Sequence, residues 1–181
     1  SVRLPFRIAE NVNQKFESIH SKYRPFVHQQ KAFDRLVGED GRSTLVATGT
    51  GSGKTECFLY PILEYCYKHR GERGIKALII YPMNALASDQ AKRIAELIYE
   101  SLELRGNVTV GMYVGGLEGN SCKQMLEDRV ITDHETLLNN PPDILMTNYK
   151  MLDYLLLRPK DASLWSQNED NTLKFVTVDE I

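Results

Sequence analysis

The octet Thr48-Gly49-Thr50-Gly51-Ser52-Gly53-Lys54-Thr55 decides the fold of this chain. It follows an apolar run, Thr44-Leu45-Val46-Ala47, that reads as a buried strand over about 43–47. It precedes Glu56-Cys57-Phe58-Leu59-Tyr60, the opening of an amphipathic helix running to about His69. Strand, glycine-rich turn and helix amino end together form the setting of a P-loop. Successive backbone N–H groups and the positive helix end cradle phosphates, Lys54 reaches the terminal phosphates, and the Thr55 hydroxyl ligates Mg²⁺. Glycine is needed where a side chain would hold the backbone away from the phosphate. The general G-x-x-x-x-G-K-[ST] pattern has glycine where this chain has Thr48, so Gly49 and Gly51 supply the flexibility. Thr50, Gly51, Ser52, Gly53, Lys54 and Thr55 are thus candidate residues for binding a nucleoside triphosphate. The plain alternative, a glycine-rich loop that merely contains Gly-Lys-Thr, is disfavoured by the flanking strand and helix.

Outward from the octet, apolar strands alternate with helical periodicity. Residues 8–36 read as two helical pieces broken by Pro25, and Glu39-Asp40-Gly41-Arg42 as a turn. Beyond the P-loop helix, Ala77–Tyr81 reads as a second buried strand. A long helix over about 85–104 follows, with apolar positions at Ala87, Ala91, Ile94, Ala95, Leu97 and Ile98. Val108 to Val114 is a third strand, and the polar stretch up to Asn139-Asn140-Pro141-Pro142 reads as helical in two pieces. Asp143 to Met146 is a fourth strand, Tyr149 to Leu157 a short helix, and Leu173 to Val178 a fifth strand. Such alternation predicts an α/β fold with a parallel sheet covered by helices on both faces.

Composition sets outer limits. A chain of 181 residues suffices for one α/β domain with a full core. A hydrophobic content of 42%, a charged content of 25% and a net charge of −2 are those of an ordinary globular protein without a global basic field. A nucleic-acid groove can still be locally basic on such a protein. No apolar run approaches the roughly 20 residues that span a bilayer, and no membrane partner is expected. Cys57, Cys66 and Cys122 are too scattered for a C-x-x-C motif. Their odd number, with the P-loop, points to a reducing, cytoplasmic compartment, and Cys57 and Cys66 to positions on the P-loop helix.

An ATPase of this kind needs a second acidic centre. Leu173-Lys174-Phe175-Val176-Thr177-Val178-Asp179-Glu180 has that form, an extended run ending in two carboxylates. Asp179 would hold Mg²⁺ through a water, and Glu180 would orient and polarise the attacking water. With Lys54 they make up the candidate catalytic set. A solvated turn after a strand is the bland reading of an isolated Asp-Glu pair.

With these residues in view the chain resembles the first RecA-like motor domain of a superfamily 2 helicase or translocase, from the family's Q motif to its Asp-Glu motif. Tyr23-Arg24-Pro25-Phe26-Val27-His28-Gln29-Gln30-Lys31-Ala32-Phe33 is similar to the Q motif, which implies that Gln29 reads the adenine edge. The resemblance leaves open whether Tyr23, Arg24 or Phe26 covers the adenine ring. Tyr81-Pro82-Met83-Asn84-Ala85-Leu86-Ala87-Ser88-Asp89-Gln90 resembles motif Ia, implying phosphate contacts around Pro82, Asn84 and Ser88. Gly115-Gly116 stands where the family has a glycine-containing strand-contact loop. Met146-Thr147-Asn148-Tyr149-Lys150-Met151-Leu152 resembles motif Ib, implying contact of the Thr147 hydroxyl, beside Asn148, with a backbone phosphate. Asn84, Thr147 and Asn148 are also good helix N-caps, and a cap and a phosphate site use the same N–H groups.

Departures from the family narrow the resemblance. Ile181 stands at the third position of the Asp-Glu motif, so the spelling is neither Asp-Glu-Ala-Asp nor Asp-Glu-Ala-His. The Leu-Ala-x-Asp-Gln and Thr-Asn-x-x-Met-Leu forms are closer to Lhr-like and MrfA-like prokaryotic DNA helicases. That likeness implies ATP and Mg²⁺ as cofactors and single-stranded or forked DNA as partner. It also implies a setting in DNA repair or phage defence, with subunits of such complexes as partners. It divides the chain into a Q-motif segment, 1–40, and a RecA-like domain, 41–181, cut at motif II and completed by a second RecA-like lobe. Rival readings are an RNA helicase, a double-strand DNA translocase that does not unwind, an ATP-dependent scaffold with a degenerate motor, and a kinase-type P-loop enzyme. The intact Lys54, Thr55, Asp179 and Glu180 argue against the scaffold, and the Gln29 motif with motif Ia against the kinase.

Overall fold

Five-residue apolar runs without a polar break can be strands only where both faces are covered, and Ala77–Tyr81 and Ile144–Asn148 are buried at every position. In the computed structural model, which describes residues 6–12, 16–37, 41–49, 51–115 and 121–179, they form the centre of a four-stranded sheet. The chain divides into two compact units, Ser1–Tyr65 and Cys66–Ile181.

The second unit holds the sheet. Its strands are β1 (Ala77–Tyr81), β2 (Val110–Tyr113), β3 (Ile144–Asn148) and β4 (Phe175–Val178), in the order β2-β3-β1-β4 and all parallel. Leu78 pairs with Leu145 and Val176, and Tyr113 with Thr147. One face carries Leu78, Ile80, Tyr113 and Leu145, which form a core with Leu137 of α4 (His134–Asn139), Leu155 of α5 (Tyr149–Leu157) and Leu164 of a 3-10 helix, Pro159–Trp165. Helix α3 (Asn84–Glu100) packs against β1, β2 and β3, and its apolar stripe, Ala87, Ala91, Ile94, Ala95 and Ile98, stays outside that cluster. It covers the opposite face, as the expected two-sided sheet requires.

At the amino ends of the strands a buried ion pair fastens β1 to β3. Lys76 Nζ lies 2.6 Å from Asp143 Oδ1 and donates to the Glu72 carbonyl at 2.7 Å. Asp143 Oδ2 accepts from Thr109 N at 2.8 Å and from its hydroxyl at 3.0 Å, which brings in the lead to β2. With these bonds in place neither buried charge lacks a partner. Nearby, burial and the Asp143 carboxylate both push the Cys66 thiol up, so it stays protonated.

The first unit forms no sheet among its described residues. Its α1 (Val27–Leu36) ends an arm in which Ile8 bridges Phe26, with Ala9 N donating to the Pro25 carbonyl and Val27 N to that of Arg7. Phe33 stacks on Tyr60 at 6.1 Å, and Phe16 meets both rings edge-on at 5.0 and 6.0 Å. Glu64 is buried and accepts from Ser18 N and Oγ. Helix α2 (Lys54–Lys68) starts at the P-loop lysine and contains the division between the units. Cys57 and Cys66 lie buried on it, as expected, and all three cysteines are free.

Three expectations are corrected. The described residues before Pro25 form no helix, because their polar groups bond to the arm and to Glu64 instead. Among the described residues, the polar stretch before Asn139 yields one helix, α4, where two were expected, and Ile131 pairs with Gly111 at the outer side of β2. Residues 43–47 form no strand, and Leu45 is 84% exposed. An apolar run becomes a strand only when a neighbour completes its ladder, and no described segment of the first unit does so.

Gly111 shows how tightly α4 sits on β2: a Cβ there would lie 2.3 Å from Leu137 Cδ2 and 2.9 Å from Pro142 Cγ. Gly111→Ala is therefore expected to cost about 2 kcal/mol by overpacking, and clearly less in a Leu137→Ala background. Thermal melting of the four proteins of this cycle checks it, and equal losses in both backgrounds would refute the contact.

Candidate nucleotide and nucleic-acid sites

The P-loop takes its shape from α1. Gln29 Nε2 donates to the Gly53 carbonyl at 3.0 Å, and its Oε1 accepts from Phe26 N at 2.9 Å. One side chain thus holds the start of its own helix and the end of the P-loop. A carboxamide has two N–H donors and two acceptor lone pairs, so one of each remains for another partner. His28 Nε2 donates to the Ser52 carbonyl at 2.8 Å, and its ring stacks on Phe26 at 5.7 Å and 16°. His28 is a P-loop contact that the motif comparison passed over, and its place directly before Gln29 was the available signal.

Within the loop, Thr48 and Ser52 share a hydroxyl hydrogen bond of 2.5 Å. Threonine in place of the usual glycine at 48 therefore closes the loop with a side-chain bond. Gly51 and Gly53 have φ of 74° and 73°, a left-handed conformation that favours glycine. At Gly53 a Cβ would lie 2.3 Å from Gln29 Nε2. Ser52 is fully buried, and Lys54 and Thr55 are half-buried in the first turn of α2, with their backbone N–H groups at its positive end. Burial pushes the Cys57 thiol on the next turn up to about 11. Thr50 lies outside the described residues.

In the second unit all strands end at one edge. Past β1, Pro82, Met83, Asn84 and Ala85 are exposed, and Ser88 is half-buried. Met83, the N-cap of α3, places no side-chain acceptor on the first turn. Past β2 comes half-buried Gly115; Gly116 lies outside the described residues. Past β3, Asn148 caps α5 by accepting from Met151 N, and Tyr149 and Lys150 are exposed. Past β4, Asp179 N donates to the Ile80 carbonyl at 3.0 Å, placing this carboxylate beside the end of β1; Glu180 lies outside the described residues. Burial, with a smaller contribution from Asp179, pushes the Tyr81 phenol up. No group of three or more His, Cys, Asp or Glu that could hold a metal ion occurs among the described residues. None of their helices is long and apolar enough to cross a membrane.

Thr147 differs from its expected role. It is fully buried and its hydroxyl donates to the Tyr113 carbonyl at 2.7 Å, tying β3 to the end of β2. Tyr113 in turn donates to Asp161 at 2.8 Å and stacks on His134 at 4.0 Å. Burial and the Asp161 bond push its phenol up to about 12. The motif spelling was recognisable, but the direction in which the hydroxyl points depends on β2, 34 residues away.

Residues 26–181 match the DEAD/DEAH box helicase family profile. Among curated relatives, the Druantia protein DruE of Escherichia coli is 27% identical over 81% of this chain and 13% of its own length. The ATP-dependent helicase Lhr-Core of Sulfolobus acidocaldarius is 29% identical over 88% of this chain and 17% of its own length. Proteins described as DEAD-box ATP-dependent RNA helicases match at similar identity. A crystal structure of the DUF1998 helicase MrfA bound to DNA and AMPPNP superposes with a TM-score of 0.67 at 24% identity, over 97% of this chain and 22% of that one. The chain thus spans less than a quarter of the length of each of these three proteins. Its likeness to MrfA shows the RecA-like fold.

The burial of Thr147 makes it a structural residue. Thr147→Val, nearly isosteric, should lower stability by about 1–2 kcal/mol by leaving the Tyr113 carbonyl unsatisfied. Thr147→Glu should cost more, since it buries a carboxylate. Urea denaturation of both variants checks this, and a Thr147→Glu protein as stable as the wild type would return the hydroxyl to the surface.

Proposed function

Because the chain belongs to the DEAD/DEAH box helicase family, we propose that it is the first RecA-like lobe of an ATP-driven DNA helicase or translocase. The observation that carries this reading is the joint between Gln29 and Gly53, in which the residue assigned to adenine recognition holds the loop assigned to phosphate. Gln29 would report adenine through its remaining donor and acceptor. The P-loop N–H groups, Lys54 and the amino end of α2 would take the phosphates. A Cβ at Gly53 would meet Gln29 Nε2, so glycine at this position keeps the joint with Gln29 closed. The motif spelling assigns Thr55 and Asp179 to Mg²⁺, an ion usually bound by one or two side chains together with substrate phosphates. When bound, Mg²⁺ neutralises charge developing on the β- and γ-phosphate oxygens. Glu180 would orient the attacking water.

The strand would run along the edge where β1, β2 and β3 end, over Pro82 to Ser88, Gly115-Gly116 and the start of α5. Contacts there would be to phosphate and sugar, so binding would tolerate sequence and weaken steeply with salt. Tyr149 and Lys150, both exposed at this edge, extend the surface available to a strand. A DNA substrate, and a setting in repair or phage defence, are supported by the Lhr-like and MrfA-like motif spellings. The RNA-helicase relatives support RNA as the second reading. Hydrolysis would require a second RecA-like lobe supplying an arginine finger, worth about 10³–10⁵ in rate.

In the full-length protein Lys54→Ala is expected to lower ATP turnover by at least about a hundredfold. Glu180→Gln should bind ATP but stall its hydrolysis. Residues 1–181 alone should turn over almost none. ATPase assays with DNA and RNA strands check all three: stimulation by RNA alone would favour the second reading, and wild-type turnover in Glu180→Gln would remove the assigned base.

A further inference from the structure

Asn84 and Asn148 form a relay between two backbone groups. Met151 N donates to Asn148 Oδ1 at 2.8 Å, Asn148 Nδ2 donates to Asn84 Oδ1, and Asn84 Nδ2 donates to the Gly115 carbonyl at 3.0 Å. Its direction is forced. A backbone N–H can only donate and a carbonyl can only accept, so Met151 orients one amide and Gly115 the other. Turning either amide would set donor against donor or acceptor against acceptor. Both residues must therefore carry a donor and an acceptor on one short side chain, which asparagine does. The relay joins the loop after β1 to the loop after β2, 31 residues along, and to the start of α5, 64 residues along. Asn148 is buried, so water competes little for its bonds.

We propose that Asn84 and Asn148 are positioning residues for the nucleic-acid strand. Their relay locks the three loops at the carboxyl edge of the sheet into one platform and sets the distance between the amino ends of α3 and α5. Two helix ends grip one phosphate backbone together only at a fixed separation, and loops left to be ordered on binding lose affinity to that ordering. The carboxamides themselves are engaged in the relay, and the groups that meet the strand are the neighbouring N–H groups and exposed side chains. This inference rests on the reading of that edge as a nucleic-acid track.

The test separates the relay from the helix cap. In Asn148→Ser the hydroxyl still accepts from Met151 N, so α5 keeps its cap, no charge is added, and nothing reaches Asn84. Asn84→Ala breaks the relay from the other side with a good helix former at an exposed position. The probe is a fluorescent single-stranded oligothymidylate titrated with the full-length protein, with melting temperature as the control for folding. Each single variant should bind about five- to tenfold more weakly at a near wild-type melting temperature, the loss of one such bond in a shared network. The double variant should bind no more weakly than either single one, because both break the same relay. Wild-type affinity in a folded Asn84→Ala protein, or fully additive losses in the double variant, would overturn the platform while leaving the functional reading intact. A wild type that binds no strand would overturn the functional reading and the platform with it.

Discussion

Parallel pairing of β1 with β3 and β4, and of β3 with β2, is the constraint on which the second unit depends. A parallel neighbour can be reached only by carrying the chain back across the sheet, so each strand must be followed by a crossover. Every strand then ends at one edge, which is where open α/β sheets leave a crevice for ligands. Residues 82–85, Gly115, Asn148 and Asp179 meet that edge for this reason alone, although up to about a hundred residues separate them along the chain.

The two edges of the sheet are fastened differently. At the amino edge, buried Lys76 with half-buried Asp143 and Thr109 forms a charged network in which each of these groups has a partner. Such networks are costly to break and hold register more than they add stability. At the carboxyl edge, Thr147, Asn148 and Asn84 use neutral hydroxyl and amide bonds to join loops. The carboxylates near that edge lie outside these ties, Asp161 bound by the Tyr113 hydroxyl and Asp179 at the end of β4.

The first unit solves its problem locally. Gln29 and His28, neighbours on α1, hold the carbonyls of Ser52 and Gly53, neighbours in the P-loop. This leaves the loop's N–H groups uncovered by those side chains, because both bonds are made to carbonyls. The Thr48–Ser52 hydroxyl pair does the remaining closing. A loop whose carbonyls are tied back has its N–H donors already ordered, which supports the phosphate site proposed for it.

The residue pattern by itself determined the α/β class, the glycine-rich turn ahead of α2, β1 and α5 to the residue, and the family. Each of these is carried by local chemistry: glycines at positive φ, unbroken apolar runs, a cap followed by helical periodicity. Tertiary structure alone decided the rest. Whether 43–47 becomes a strand depends on a neighbour to complete its ladder, and Leu45 is left exposed where no described segment of the first unit supplies one. Whether Thr147 faces a phosphate or the interior depends on the Tyr113 carbonyl in the adjacent strand. That Asn84 and Asn148 act as a pair follows from two fixed backbone polarities brought together by the sheet, and a hydrogen bond between residues 64 apart leaves no periodicity in the sequence to read.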